Sequence, residues 1–395
     1  MIPSETDILI VGAGPTGLAL AISLRQAGLA PLVVDRLPAG LNASRAAVIH
    51  AHTLDVLDTI GVADALAARG LKLPAFSIRE HDRALVTLPF DTLPGAHPYL
   101  LMIPQDATEA ALAARFAALG GTVRRGTTAT GFAREGDLVR VTLATPDGER
   151  SLRARHVVGA DGMHSAVRAA AGIAFDGVAL DESFVLADVR MDWPPGAREV
   201  ALFFSPDGLL VVAPLPDGSY RLVAPVANAP ERPDETFMQA LLDARGPEAR
   251  PGRIDRVVWG SRFRVHHRLA SAYRAGPYAL VGDAAHVHSP AGGQGMNCGL
   301  VDACMLGRLL ADVLQGKRPE ADLALYEKLR RPAAARVLAL AGRLTSVATI
   351  DGAFARGARN ALLSAAFGLA PVRRRLTMEL SGLARAELAR LPEAA

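Results

Sequence analysis

The sequence predicts an α/β fold: a dinucleotide-binding unit interrupted by a mainly antiparallel sheet and followed by helices. Three observations carry that expectation. Residues 7–36 pack an apolar run, a glycine turn, a helix-period stretch, a second apolar run and an acid into one short segment. Buried-strand patterns return at YLLMIPQ, HVVGADG and YALVGDAAH, far apart along the chain. Between them, from about Phe175 to Arg268, short alternating runs separated by Gly, Pro and Asp turns replace helical periodicity.

In the first segment, Ile8 to Val11 reads as a strand that breaks at Gly12-Ala13-Gly14-Pro15-Thr16-Gly17, with a helix to about Gln26 and a second strand from Leu32 to Val34 before Asp35. Gly12 permits the tight turn, Gly14 the approach of a pyrophosphate, and Gly17 the packing of helix on strand. The helix start offers free N–H groups and a positive dipole end to phosphates. Asp35 is placed to accept hydrogen bonds from an adenosine ribose. GxGxxG by itself can simply end a strand, but here the flanking elements stand at the right spacing. The turn leaves open whether FAD or NAD(P) binds.

The stretch from Ala46 to about Ile60 has helical periodicity, and 75–90 reads as a strand pair around the turn HDRA. DATEAALAARFAALG predicts a helix with Asp106 as N-cap and Glu109 completing a capping box. Strands follow through TVRRGTTATGFARE, LVRVTLATPDG and ERSLRARHVVGADG, the last reaching a second glycine turn at Gly159 to Gly162. ETFMQALLDA is the helix candidate within the inserted sheet. A long helix is expected from Gly295 to about Gln315, and residues 320–391 read as helices broken at Pro332, Gly352, Gly357 and Pro371.

Composition narrows the function. The chain has 395 residues, half of them hydrophobic, enough for more than one core. Lys and Arg together number 43 against 40 acids, and only Lys72, Lys317 and Lys328 are lysines. Arginines and acids are interspersed without a block of like charge, so there is no case for nucleic acid. The cysteines, Cys298 and Cys304, match no metal or redox spacing and are expected to be small buried residues. No signal peptide or spanning run appears, which together with the absent disulfide framework fits a cytoplasmic setting. His286 and His288 form an HxH pair with no third ligand at metal spacing, so no metal is expected.

Taken together, GxGxxG, VVGADGMHSAVR and YALVGDAAHVHSPAGGQGMNCGLVDA resemble the motif set of the flavoprotein aromatic monooxygenases of the p-hydroxybenzoate hydroxylase type, especially the phenol-hydroxylase-like and polyketide-hydroxylase branch. The resemblance runs over roughly 1–340. It implies a Rossmann-like FAD-binding domain made of 1–74, 99–174 and 269–335, a substrate-binding sheet domain made of 75–98 and 175–268, and a helical region at 336–395. It also implies non-covalent FAD, with NADH or NADPH as a transient co-substrate, O₂, and a small aromatic substrate. The cofactor-binding candidates are Gly12, Gly14, Pro15, Thr16, Gly17, Asp35, Arg36, Arg45, Gln105, Asp161, Arg168, Gly282, Asp283, Pro290, Gly293, Gly295, Met296 and Asn297.

The reaction implied is hydroxylation of a phenolic or polyketide-like ring by an oxygen carried at flavin C4a. No substrate-deprotonating base can be named from the sequence. The apolar runs near 202–215 and 220–226 are expected to line the substrate cavity, with Phe203, Phe204 and Tyr220 as aromatic candidates. A pyridine nucleotide would dock near Arg45 and Arg168, since GxGxxG occurs once. Larger relatives carry a thioredoxin-like C-terminal domain that this sequence does not show, which leaves the oligomeric state open. Two other readings stay in view: a reductase, dehydrogenase or halogenase of the same fold, and a flavin-binding protein whose 333–391 helices lie on a membrane beside Arg373-Arg374-Arg375.

Overall fold

The computed structural model describes residues 2–40, 46–290, 292–348, 350 and 352–393. The strand Glu5–Val11 lies between Leu32–Val34 and the end of Gly148–Gly159, and all three run parallel. Tyr278–Leu280 adds to the far side of Gly148–Gly159, and Val123–Arg124 to Leu32–Val34, also in parallel. An antiparallel meander, Thr128–Glu135 and Leu138–Thr145, folds back on the outer part of Gly148–Gly159. The helix Pro15–Gln26 begins just past the carboxyl end of Glu5–Val11 and packs against the helix Gly295–Leu314, whose Gly299 lies against Gly282 at the end of Tyr278–Leu280. In open α/β sheets that edge is where ligands bind.

The second sheet has eight strands and is antiparallel except for one pair. Its exception is instructive. The hairpin Ala75–Glu80 and Arg83–Pro89, far upstream, joins the sheet through a parallel pairing with Glu199–Ser205. At its other edge the long strand Arg253–Ala270 pairs with His286–Val287, immediately after the Gly282–Ala284 turn. The two sheets are thereby tied together beside the third glycine motif.

Strand alternation gives the second sheet two buried faces. One packs Val185, Ala187, Phe203, Leu210 and Leu222 against the helix Glu235–Arg245. The other packs Phe76, Leu202, Phe204 and Leu209 toward Leu340, Phe367 and Leu376 of the C-terminal helices. Both cysteines are buried. Among the described residues no helix is long and apolar enough to cross a membrane.

Several local expectations are corrected. Val48–Ile49 is a strand and the helix there is only Ala51–Asp58, because Val48 and Ile49 pair with the strand Leu100–Met102. The helix expected from Asp106 starts at Gln105, with Pro104 as N-cap. Asp106 accepts from Ala107 N–H, while the buried Glu109 accepts from Gln105, so no capping box forms. Pro332 lies inside the helix Ala324–Ala348, and Gly357 inside Ala353–Gly368.

Candidate functional site

The three glycines of the first turn differ in what surrounds them. Gly12, at φ +105°, donates to the Val34 carbonyl, and a Cβ on it would lie 2.3 Å from the Ala160 oxygen. On Gly17 a Cβ would meet the Gly12 oxygen at 2.0 Å. A Cβ on Gly14 would meet no atom within 4 Å, and Gly14 has an ordinary φ of −72°. The fold therefore accounts for Gly12 and Gly17 but not for Gly14, whose missing side chain leaves space at a helix start fit for a phosphate. Pro15 occupies the first helical turn, where its absent N–H costs nothing.

Asp35 holds the same turn. One carboxylate oxygen accepts from Ala13 N–H at 2.6 Å and the other from Leu37 N–H at 2.8 Å, with Arg125 3.7 Å away. Arg36 beside it is exposed. Thr16 turns the other way: its hydroxyl lies 2.8 Å from where a Cβ would stand on either Gly282 or Gly299. Those two glycines let the third motif approach the first helix. Asp283 is exposed between buried Gly282 and Ala284, on the cleft-side turn rather than in the strand that precedes it.

Beyond that turn, Gly293 donates to the Pro290 carbonyl, and both Gly292 and Gly293 have positive φ. The first backbone bond closing the Gly295–Leu314 helix runs from Cys298 N–H to the Gln294 carbonyl. The N–H groups of Gly295, Met296 and Asn297 thus lie in the open first turn. The Asn297 side chain is committed elsewhere: it donates to Val48 and Gly293 carbonyls and accepts from His50 N–H. A cofactor contact by Asn297 would use its backbone.

Gln105 accepts from Ala46 N–H and donates to Glu109. Arg45 lies outside the described residues. Asp161 accepts from Ala166 and Val167 N–H through one oxygen; its other oxygen is buried, and burial raises its pKa. Arg168 donates to the Ala284 and Met163 carbonyls and sits 3.9 Å over the Phe175 ring. It staples the second motif to the third.

Sequence reasoning did not assemble four groups that the structure brings together. His164, Arg264 and Arg268 lie close enough to His266 to lower its pKa together with burial, and no salt bridge to an acid is found for Arg264 or Arg268 among the described residues. His50 and His288 flank the 292–295 loop, and burial lowers the pKa of each to about 4, so both are neutral. The buried His286 bonds Asp302 at 2.7 Å, and Arg330 bonds the other Asp302 oxygen at 2.6 Å. Cys298 stands in the same cluster. A carboxylate does therefore reach the HxH pair, but Arg330 already neutralises it, which disfavours a cation there.

The fourth group is the bidentate Arg221–Asp188 ion pair, whose Arg221 also donates to the Ala46 carbonyl. A lone Arg in the apolar run YRLVAPV, opposite the Asp of VLADV, was the available signal. The pair marks the sheet face turned to the first domain. Phe184, Leu186, Val211 and Val223 share that face by alternation. Phe203 and Tyr220 point the opposite way, around Trp193, so of the three aromatic candidates only Phe204 is on the face toward the first domain.

Comparison with known proteins agrees with this layout. Residues 5–341 match the family described as FAD binding domain. The chain is 36% identical over 396 residues to the 6-methylpretetramide 4-monooxygenase of Streptomyces rimosus, covering 97% of this chain and 70% of that protein. It is 33% identical to the solved anhydrotetracycline hydroxylase of Streptomyces rimosus, with a TM-score of 0.80 over 96% of this chain and 76% of that one. The p-nitrophenol 4-monooxygenase of Pseudomonas putida DLL-E4 shares the fold at a TM-score of 0.88 and 24% identity, covering 98% of this chain and all of that one (100%).

Proposed function

The chain belongs to the flavoprotein aromatic monooxygenases of the FAD-binding-domain family, and on that premise we propose that it hydroxylates a fused-ring phenolic, polyketide-like substrate, using O₂ and a nicotinamide dinucleotide. The observation that carries the reading is the open space at Gly14, set at the strand ends where all three glycine motifs converge. Bound FAD would supply the activation of O₂ for transfer to the ring.

The protein's own groups would do the rest. Gly14 and the N–H groups of the first helix would receive the pyrophosphate, with Asp35 holding the turn and presenting its remaining lone pairs to a ribose. Asp283 would accept from a ribityl hydroxyl. The start of the Gly295–Leu314 helix would stabilise negative charge at the isoalloxazine edge. The apolar sheet face around Arg221 would exclude water and stack the ring. Residues 75–98 and 175–268 would act together as the substrate-carrying unit.

The guanidinium groups of Arg264 and Arg268, with the imidazoles of His164 and His266 beside them, favour docking of the pyridine dinucleotide's phosphates at the edge of the second motif. Such transient docking suits a gated reduction, because reduced flavin without substrate would waste its electrons on O₂. The decisive experiment is ¹⁸O₂ labelling with NAD(P)H-consumption kinetics across a polyketide and phenol panel. One labelled oxygen in the product, with oxidation accelerated by substrate, is expected. Product label from H₂¹⁸O and none from ¹⁸O₂ would replace hydroxylation with dehydrogenation. Acid precipitation should release the flavin into the supernatant, as non-covalent attachment requires.

A further inference from the structure

The loop Gly292–Gly295 contains a single side chain longer than hydrogen, that of Gln294, and it points away from the cleft into the C-terminal segment. Gln294 is 2% exposed. Its amide donates to the Leu380 carbonyl at 2.8 Å, and its oxygen accepts from Arg385 at 2.8 Å. Arg385, 6% exposed, is held in turn by the Glu379 carbonyl and carboxylate. It lies in the short helical segment Leu383–Ala389, which Arg330 also grips through the Leu388 carbonyl while bonding Asp302 of the Gly295–Leu314 helix. The start of that helix is thus tied to residues nearly a hundred positions downstream.

Two neighbouring glycines at positive φ have little stiffness of their own, so the shape of this turn must be imposed from outside. We propose that Arg385 is a positioning residue: through Gln294 it fixes the Gly292–Gly293 turn and the first turn of the following helix, so that the C-terminal segment sets the affinity and redox potential of the flavin. The proposal rests on the reading that FAD occupies the cleft at that helix start. Donors aimed in advance at developing charge stabilise it best, and a turn released from its anchor loses that aim.

The test uses full-length FAD holoenzyme carrying Arg385→Met, Arg385→Lys, Gln294→Ala or the double change Arg385→Met/Gln294→Ala. Arg385→Met should weaken FAD binding roughly tenfold, the scale of one lost charge-assisted hydrogen bond. It should also move the flavin potential to more negative values and alter the visible flavin spectrum, lowering kcat while leaving KM for the aromatic substrate unchanged. Lys should restore part of each effect, and the double variant should be no worse than the worse single one. Unchanged potential and affinity in Arg385→Met, or additive effects in the double variant, would overturn the proposal. Should the variants not fold, amide exchange of the wild type decides: FAD should protect 383–389 as well as 292–298, and protection confined to 292–298 counts against it. A wild type that takes up no FAD would instead defeat the flavin reading itself.

Discussion

Gly14 and Gly17 are the same residue for opposite reasons, and the difference can be measured. A side chain at Gly14 enters empty space in the free protein, so Gly14→Val should leave the melting temperature of the apoprotein unchanged. The same change should weaken FAD binding at least about hundredfold, equivalent to about 2.7 kcal/mol, because the branched side chain fills the phosphate's place. Gly17→Ala should instead destabilise the apoprotein by about 1–3 kcal/mol, since the new carbon collides with the Gly12 carbonyl. Calorimetry paired with flavin-fluorescence titration separates the two. Asp35→Asn belongs with both: the carboxylate accepts from two backbone donors, and an amide must present its NH₂ to one of them. Lower stability and lower FAD affinity are expected together.

Between elements, the buried Asp302 joins two helices and a strand end by accepting from His286 and Arg330. Asp302→Asn leaves the buried Arg330 cation facing a neutral amide, and a loss of about 3–5 kcal/mol in chemical denaturation is expected. Titration adds a signature. Burial lowers His50, His52, His156 and His288 from the ordinary 6.5 to about 4. Between those values the unfolded chain takes up protons that the folded chain refuses, so stability should be full above about pH 6.5 and fall progressively toward pH 4. His286 has the opposite sign: despite burial, Cys298 and Asp302 raise its pKa, so its contribution is complete below 6.5 and is lost only as alkaline pH passes the raised value. Melting temperatures from pH 4 to 8 that do not fall on the acid side would contradict the neutral buried histidines.

Over the whole molecule, function depends on how the second sheet meets the first. Arg221 bonds Asp188 within the sheet and the Ala46 carbonyl across the junction, while His286–Val287 extends the sheet's other edge. Breaking the buried pair with Asp188→Asn should cost stability and increase the NAD(P)H oxidised per product formed, as water enters the cleft. By contrast, Arg268→Ala should raise KM for the pyridine nucleotide about tenfold, the loss of one charged phosphate contact, without changing FAD affinity. Steady-state kinetics with a coupling assay would show both; equal KM for NAD(P)H in wild type and Arg268→Ala would remove the Arg264 and Arg268 pair from the proposed docking site.

The elements that depend on neighbours in the chain were legible without coordinates. The strand, glycine turn, helix and acid of 7–36 are local, since period, φ freedom and dipole all act within a few residues. The inserted sheet was legible for the same reason, as alternation and turn residues are short-range signals. That Val48 and Ile49 form a strand before the Ala51–Asp58 helix was decided by a strand pairing that periodicity does not encode. The partners of Arg168, Asn297, Arg221 and Asp302 lay beyond the sequence for a deeper reason. Each buries a polar group that must find its hydrogen bond, and the partner is whatever the tertiary fold brings within about 3 Å, 28 or 249 residues away. The sequence by itself determined the glycine turn and the strand and helix that flank it, and only the tertiary structure decided what holds them in shape.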